Sequence, residues 1–245
     1  MKLALKLLPF AAILAFASCG SDNMVNPCPS GKLPFGDTVY QYNEEWHSNP
    51  KRFMVYAKSE VTLAKGSYGA YEIEGPQNLV RRLQTYQKGD SLYLDYDLCI
   101  FKFSPFKTTV FGTQINQVSI YDSSLCAFDP EFEQDDIVVN TNDRTSGTIT
   151  GKFGVLTLNN TSENTLNIEG AHDILKLAHS GRGDMDILNA SVKTADINHN
   201  SNADIYIAPV ETLNVNINSA GSIYYQGEPV LNVKQNGTGQ AIKMD

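Results

Sequence analysis

From Phe53 onward the chain is written in short alternating runs of apolar and polar residues. The stretch "RFMVYAKSEVTLAKGSYGAYEIEGPQNLVRRLQTYQKGDSLYLDY" alternates with a period of two and is punctuated by Gly66, Gly75 and Gly89. Such a pattern predicts half-buried β-strands separated by turns. Only "QNLVRRLQTY" offers a short helical turn, with a sheet edge as the alternative, and no long amphipathic helix is present. In the second half the alternation repeats. The segments "TIT", "TLNI", "DMDI", "DIYI", "SIYY" and "QAIK" begin at Thr148, Thr165, Asp184, Asp204, Ser222 and Gln240, at steps of 17, 19, 20, 18 and 18 residues. Each but the last is followed by a second alternating run: "VLTL", "ILKL", "TADI", "LNVNI" or "VLNV". One period therefore predicts two short strands and two turns.

The columns of this repeat separate an inside from an outside. Ile149, Leu166, Met185, Ile205 and Ile223 share one position, and Ile168, Ile187, Ile207 and Tyr225 the position two residues on. In the second strand Leu156, Leu175, Ala195, Val215 and Val233 align, as do Leu158, Leu177, Ile197 and Ile217. Period-2 strands point all of these one way, while Thr157, Lys176, Asp196, Asn216 and Lys234 between them face water. One rung cannot bury its face alone, but stacked rungs bury a continuous core. Like strands some 18 residues apart are too widely spaced for a meander of hairpins. The expected fold is all-β, a parallel β-helix of short coils with 17–20 residues per rung. A β-sandwich is the competing architecture, since short alternating strands fit it as well.

Upstream, residues 1–18 have the form of a signal peptide: Lys2 and Lys6, an apolar run from Leu7 to Phe16, then Ala17 and Ser18 before Cys19. The Ala-Ser-Cys-Gly segment resembles the lipobox of bacterial lipoproteins, with Phe16 where leucine is usual, and implies acylation of Cys19. A plain secretory signal followed by an incidental Cys19 is the alternative. Residues 19–52 contain Pro27, Pro29, Pro34 and Pro50 among glycines and polar residues and are expected to form an irregular, flexible tether. Residues 53–245 are expected to form a single domain. The apolar run is too short for a membrane span of about 20 residues.

Composition narrows the partners. The formal charge is −8; removal of residues 1–18 takes away two lysines and no acid, leaving 17 basic and 27 acidic residues and a charge of −10. There is no basic stripe to meet phosphates, so nucleic acid is not an expected partner. The expected contacts are a membrane, through the N-terminal lipid, and a glycan or protein ligand of unknown identity. Cys28, Cys99 and Cys126 remain after Cys19; export permits disulfides, and Cys99 with Cys126 is the candidate pair. His47, His172, His179 and His199 are scattered and no metal spacing is present, so neither a metal nor a cofactor is expected.

"SGRGDMDI", "NSNADIYI" and "SAGSIYYQGEPVLNVKQNGTG", with the upstream "VYAKSEVTLAKGSYGAYEIEGPQNLVRRL…GDSLYLDY", resemble the "putative auto-transporter adhesin, head GIN domain" family. The segment Tyr224-Tyr225-Gln226-Gly227-Glu228-Pro229 carries the most specific part of the likeness, and Asn200-Ser201-Asn202-Ala203 departs from the glycine-rich turn. The resemblance covers the chain from about Phe53 to its last residue. It implies a right-handed β-helix on an exported, often lipid-anchored bacterial protein, and Gly20 rather than Asp after Cys19 gives the outer membrane or cell surface as the expected location by the usual enterobacterial sorting rule.

Three candidate sites follow. Arg182-Gly183-Asp184 spells a cell-adhesion tripeptide, yet it occupies the repeat turn, where sister coils have Asn202-Ala203-Asp204 and Ala220-Gly221-Ser222. A turn accounts for all three residues: Gly183 for its conformation and Asp184 for bonds to nearby amides. Asp184 and Asp204 share a column, hence about 5 Å separates them, near the separation of retaining glycosidases. A polysaccharide lyase or glycoside hydrolase is therefore the alternative function. Against it, no Lys, Arg or His lies in register with that column. Asp186, Tyr206 and Tyr224 form an outward column that could stack on sugars or a partner protein, or simply stabilise the sheet. Asn159, Asn198, Asn218 and Asn236 are expected to form a hydrogen-bonded ladder. The function expected from all of this is non-catalytic binding or adhesion, with no enzyme activity.

Overall fold

The computed structural model describes residues 39–45, 50–56, 59–64, 70–76, 80, 83–96, 106–111, 115–121, 125–128 and 133–245. Among these residues nineteen strands form one continuous hydrogen-bonded sheet that winds as a solenoid with two main walls. The first wall contains β5 (Leu83–Lys88), β6 (Ser91–Tyr96), β2 (Arg52–Val55), β8 (Gln117–Ile120), β10 (Glu133–Thr141), β12 (Lys152–Asn160) and β14 (Gly170–His179), then the ends of β15 (Met185–His199) and β16 (Ile205–Ile217), and β18 (Val230–Gln235). The second contains β1 (Val39–Glu45), β4 (Ala70–Pro76), β7 (Phe106–Phe111), β3 (Ser59–Ala64), β9 (Leu125–Phe128), β11 (Ser146–Ile149) and β13 (Leu166–Ile168), the starts of β15 and β16, then β17 (Ile223–Tyr225) and β19 (Ala241–Lys243).

Successive coils pair in parallel, so the expected β-helix is the fold and the sandwich is not. Two strands per period was too simple. β15 and β16 run through both walls, pairing at their starts with β13 and β17 and at their ends with β14 and β18. The "QNLVRRLQTY" region contains both expected forms where it is described: Val80 is helical, and from Leu83 β5 pairs antiparallel with β6 across Gly89-Asp90, a two-residue turn with Gly89 at φ 62°. Within the segment read as tether, Val39–Glu45 is strand β1, antiparallel to β4.

The inside-outside assignment holds, but the register slips at two places along the stack. Leu166, Met185, Ile205 and Ile223 do stack, whereas Ile149 pairs with Ile168 and Gly147 with Leu166. Ala195 pairs with Leu213, not Val215, and Ile197 with Val215, not Ile217. The outward column beside them accordingly reads Thr157, Lys176, Asp196, Asn214 and Asn232. Each error is a shift of two residues, which leaves every side chain on its face; a shift of one would have inverted the core.

That core runs the length of the solenoid, from Phe53, Val55, Leu92 and Leu94 to Leu213, Val215 and Ile223, all buried. It also holds a polar column. Thr141 Oγ1 donates to Asn160 Oδ1 at 2.9 Å, Asn160 Nδ2 lies 3.1 Å from His179 Nδ1, and His179 stacks on His199 at 5.3 Å. His172 is buried likewise, stacked on Phe153 at 5.3 Å. Three of the four histidines called scattered are thus core residues.

Candidate binding face

The turn that carries Arg182-Gly183-Asp184 is built from backbone stacking on backbone. A Cβ at Gly183 would lie 2.0 Å from both Asn164 C and Asn164 O, and one at Gly221 2.0 Å from Ala203 O. Gly183 is not among the glycines with positive φ, so the expected special conformation is corrected: the residue is small because the coil beneath touches its Cα. Asp184 Oδ1 accepts from the Asp204 amide at 2.9 Å, Asp204 Oδ1 from the Ser222 amide at 2.8 Å, and Ser222 Oγ from the Gln240 amide at 3.2 Å. One polar side chain per coil therefore satisfies an amide of the next. Arg182 is left pointing outward, 85% exposed, 3.8 Å from Glu163 Oε1.

Asp186, Tyr206 and Tyr224 are brought into one outward column of the second wall by direct pairing on neighbouring strands. The two phenol rings stack at 5.1 Å with planes 12° apart. Partial burial, and then the charges of Asp204 and Asp184, push the Tyr206 hydroxyl above its usual range. Asp186 Oδ1 accepts from the Leu188 amide at 3.1 Å, which fixes its carboxylate beside the rings. The column is a rigid aromatic ridge with carboxylates on its flank.

A second aromatic array escaped the sequence reading. On the first wall Tyr86 stacks on Tyr93 at 4.8 Å, Tyr93 on Tyr56 at 6.5 Å, and Tyr56 on Tyr121 at 4.5 Å, with planes within 6° of parallel. Tyr56 and Tyr86 are exposed. Partial burial together with the charge and hydrogen bond of Tyr121 raises the Tyr56 hydroxyl. The signal in the sequence was Tyr93 between the inward Leu92 and Leu94 of "SLYLDY"; what hid the array is that β2 lies between β6 and β8, so the chain order of these coils is not their order in space.

The asparagine ladder is real from Asn198 onward: Asn218 Nδ2 donates to Asn198 at 2.9 Å and Asn236 Nδ2 to Asn218 at 2.7 Å. Asn159 is not part of it and donates to Asn140 at 2.8 Å, because Ala178 occupies the intervening coil. Among the described residues no three His, Cys, Asp or Glu side chains converge to hold a metal, and no helix is long and apolar enough to cross a membrane. Cys19 and Cys99 lie outside the described residues, and Cys126 enters only as a backbone position in β9.

The fold is a β-solenoid whose outward columns include aromatic and amide ladders. Residues 50–229 match the family "Putative auto-transporter adhesin, head GIN domain", and the chain belongs to it. Solved structures share the fold at low identity. A "putative adhesin" from Bacteroides fragilis is 16% identical, with a TM-score of 0.75 over 87% of this chain and 100% of that one. A "putative lipid binding protein" from Parabacteroides distasonis is 13% identical, with a TM-score of 0.65 over 86% and 98%. A "putative adhesin" from the same species is 12% identical, with a TM-score of 0.62 over 84% and 97%. No curated protein sequence matches the chain. The Asp184 and Asp204 carboxylates that share a column are each engaged by a backbone amide of the next coil.

Proposed function

We propose that this is an exported cell-envelope protein, tethered through an acylated Cys19 at the outer membrane or cell surface, whose β-helical domain grips a glycan or protein ligand without chemistry. The observation that carries the reading is the Tyr206–Tyr224 stack beside Asp186. Rigid, partly exposed aromatics give contact area at little cost in conformational entropy and are enriched where proteins meet partners. Family membership supports an adhesive role. The site is a ridge, suited to a ligand that lies along several coils.

The test is a binding screen of the mature protein on immobilised glycans and on host matrix proteins, with Tyr206→Ala/Tyr224→Ala in parallel. Retained ligands should lose at least tenfold in affinity in the double variant, which keeps its fold. Binding that is indifferent to both tyrosines would remove this face from the proposal. Release of new sugar ends from a polysaccharide by the wild type, lost in Asp184→Asn, would reinstate the enzyme.

A further inference from the structure

The two ends of the solenoid are finished differently. At the N-terminal end of the first wall, β5 lies over β6 and turns Thr85 and Gln87 inward, opposite Leu94 and Leu92. Thr85 Oγ1 also meets the buried Tyr71 hydroxyl at 2.7 Å. That is a polar cap, as a stacked repeat requires where its stacking stops. At the other end, among the described residues, β18 pairs only with β16 and β19 only with β17. The inward positions of β18 are Leu231, Val233 and Gln235, continuing the buried column of Leu213, Val215 and Ile217. They carry no cap. Leu231 is 37% exposed, Val233 43%, and Val230 beside them 65%, three of the five large exposed hydrophobics among the described residues.

We propose that this end is an interface, and that its occupant is a second copy of the same chain docked tail to tail about a two-fold axis. Self-pairing of β18 in antiparallel register centred on Asn232 explains its sequence. Leu231 then faces Val233 of the second copy and the reverse, so the open core of each closes on that of the other. Asn232, whose Nδ2 donates to Asn214 Oδ1 at 2.8 Å, meets its own mate across the axis and carries the amide ladder into the partner. Lys234, the one charge on β18, comes diagonal to Glu228 of the second copy, a carboxylate already paired with Lys243 in its own chain. No inward charge blunts the edge, the usual device against such pairing. Head-to-tail stacking is disfavoured by the cap at the opposite end: Thr85 and Gln87 would face Leu231 and Val233.

The experiment is sedimentation equilibrium of the full mature chain in detergent, with two variants. Wild type should sediment at twice the monomer mass, and Val233→Lys, a change at a half-exposed position, at the monomer mass with an unchanged melting curve. Asn232→Cys should form a cross-linked dimer on a non-reducing gel, whereas Asn214→Cys, one coil inward, should not. A monomeric wild type at ~100 µM protein (on the order of a hundred times a micromolar Kd) overturns the proposal. A dimer that survives Val233→Lys, or that fails to cross-link through Asn232→Cys, overturns it equally and assigns the open end to another occupant.

Discussion

Gly183 and Arg182 sit side by side in a motif that invites a functional reading, and the structure gives them opposite tolerance. A methyl group on Gly183 would press into the Asn164 peptide; Gly183→Ala should cost about 1–3 kcal/mol, as overpacking does. Arg182→Ala should stay within about 0.5 kcal/mol, the usual range for a surface change. Urea titration of the two variants checks both, and cell-attachment assays of Arg182→Ala, with folding intact, test the tripeptide as an adhesion signal; no loss is expected. The buried histidines give the domain a pH dependence. Burial holds His172 and His179 at about 4, down from 6.5, and lowers His199 too. The folded chain therefore favours neutral rings, so their contribution is complete above pH 6.5 and is lost as pH falls from 6.5 toward 4. At pH 5 each of His172 and His179 should have cost about 2 kcal/mol, at ~1.4 kcal/mol per pH unit. Denaturant midpoints measured at pH 7.5 and pH 5 should show the loss, and His172→Phe, which keeps the stack on Phe153, should reduce it.

Within a strand the decisive contrast is between neighbours. Ile205 is buried between Met185 and Ile223, while Tyr206 points outward. Ile205→Asp places an unpaired charge in the core and should cost about 3–5 kcal/mol, enough to unfold a marginal domain. Tyr206→Asp should cost about 1 kcal/mol, chiefly lost stacking on Tyr224. Equal destabilisation in thermal melts would contradict the inside-outside assignment. This contrast was legible in the sequence because period-2 alternation fixes the face of each residue. Register was less legible: Val215 and Leu213 are both apolar and two apart, so either satisfies the column opposite Ala195. Tyr206 and Tyr224 could be found since their coils stack in chain order. Tyr56 and Tyr121 could not, because their contact depends on β2 lying beside β8, which no periodicity encodes. The buried histidine pair was hidden for a different reason: a polar residue at an inward position reads as a break in the pattern, and only packing shows that it is part of the core.

For the molecule as a whole, the anchor and the solenoid are expected to act as separate devices. An acidic body has no electrostatic attraction for anionic lipid, so the attachment proposed above would depend wholly on acyl chains, at about 0.8 kcal/mol per buried methylene. Cys19→Ser should therefore move the protein from the membrane pellet to the soluble fraction or leave it unprocessed. Intact-mass analysis of wild type should show the added diacylglyceryl mass; an unmodified N-terminus would refute the anchor.

The displaced position of β2 and β3 sets an order of events in time. β2 pairs with β6 and β8, and β3 with β7 and β9, so the first of these coils is clamped between two that come later in the chain. In a polypeptide delivered from its N-terminus, Phe53 and Val61 have no parallel neighbours until residues 91–128 have arrived. The coils from β10 onward each dock on the one just made, which favours rapid local assembly. The β2–β3 segment thus emerges early and is locked late, an interval in which its apolar strands depend on other factors to remain unaggregated.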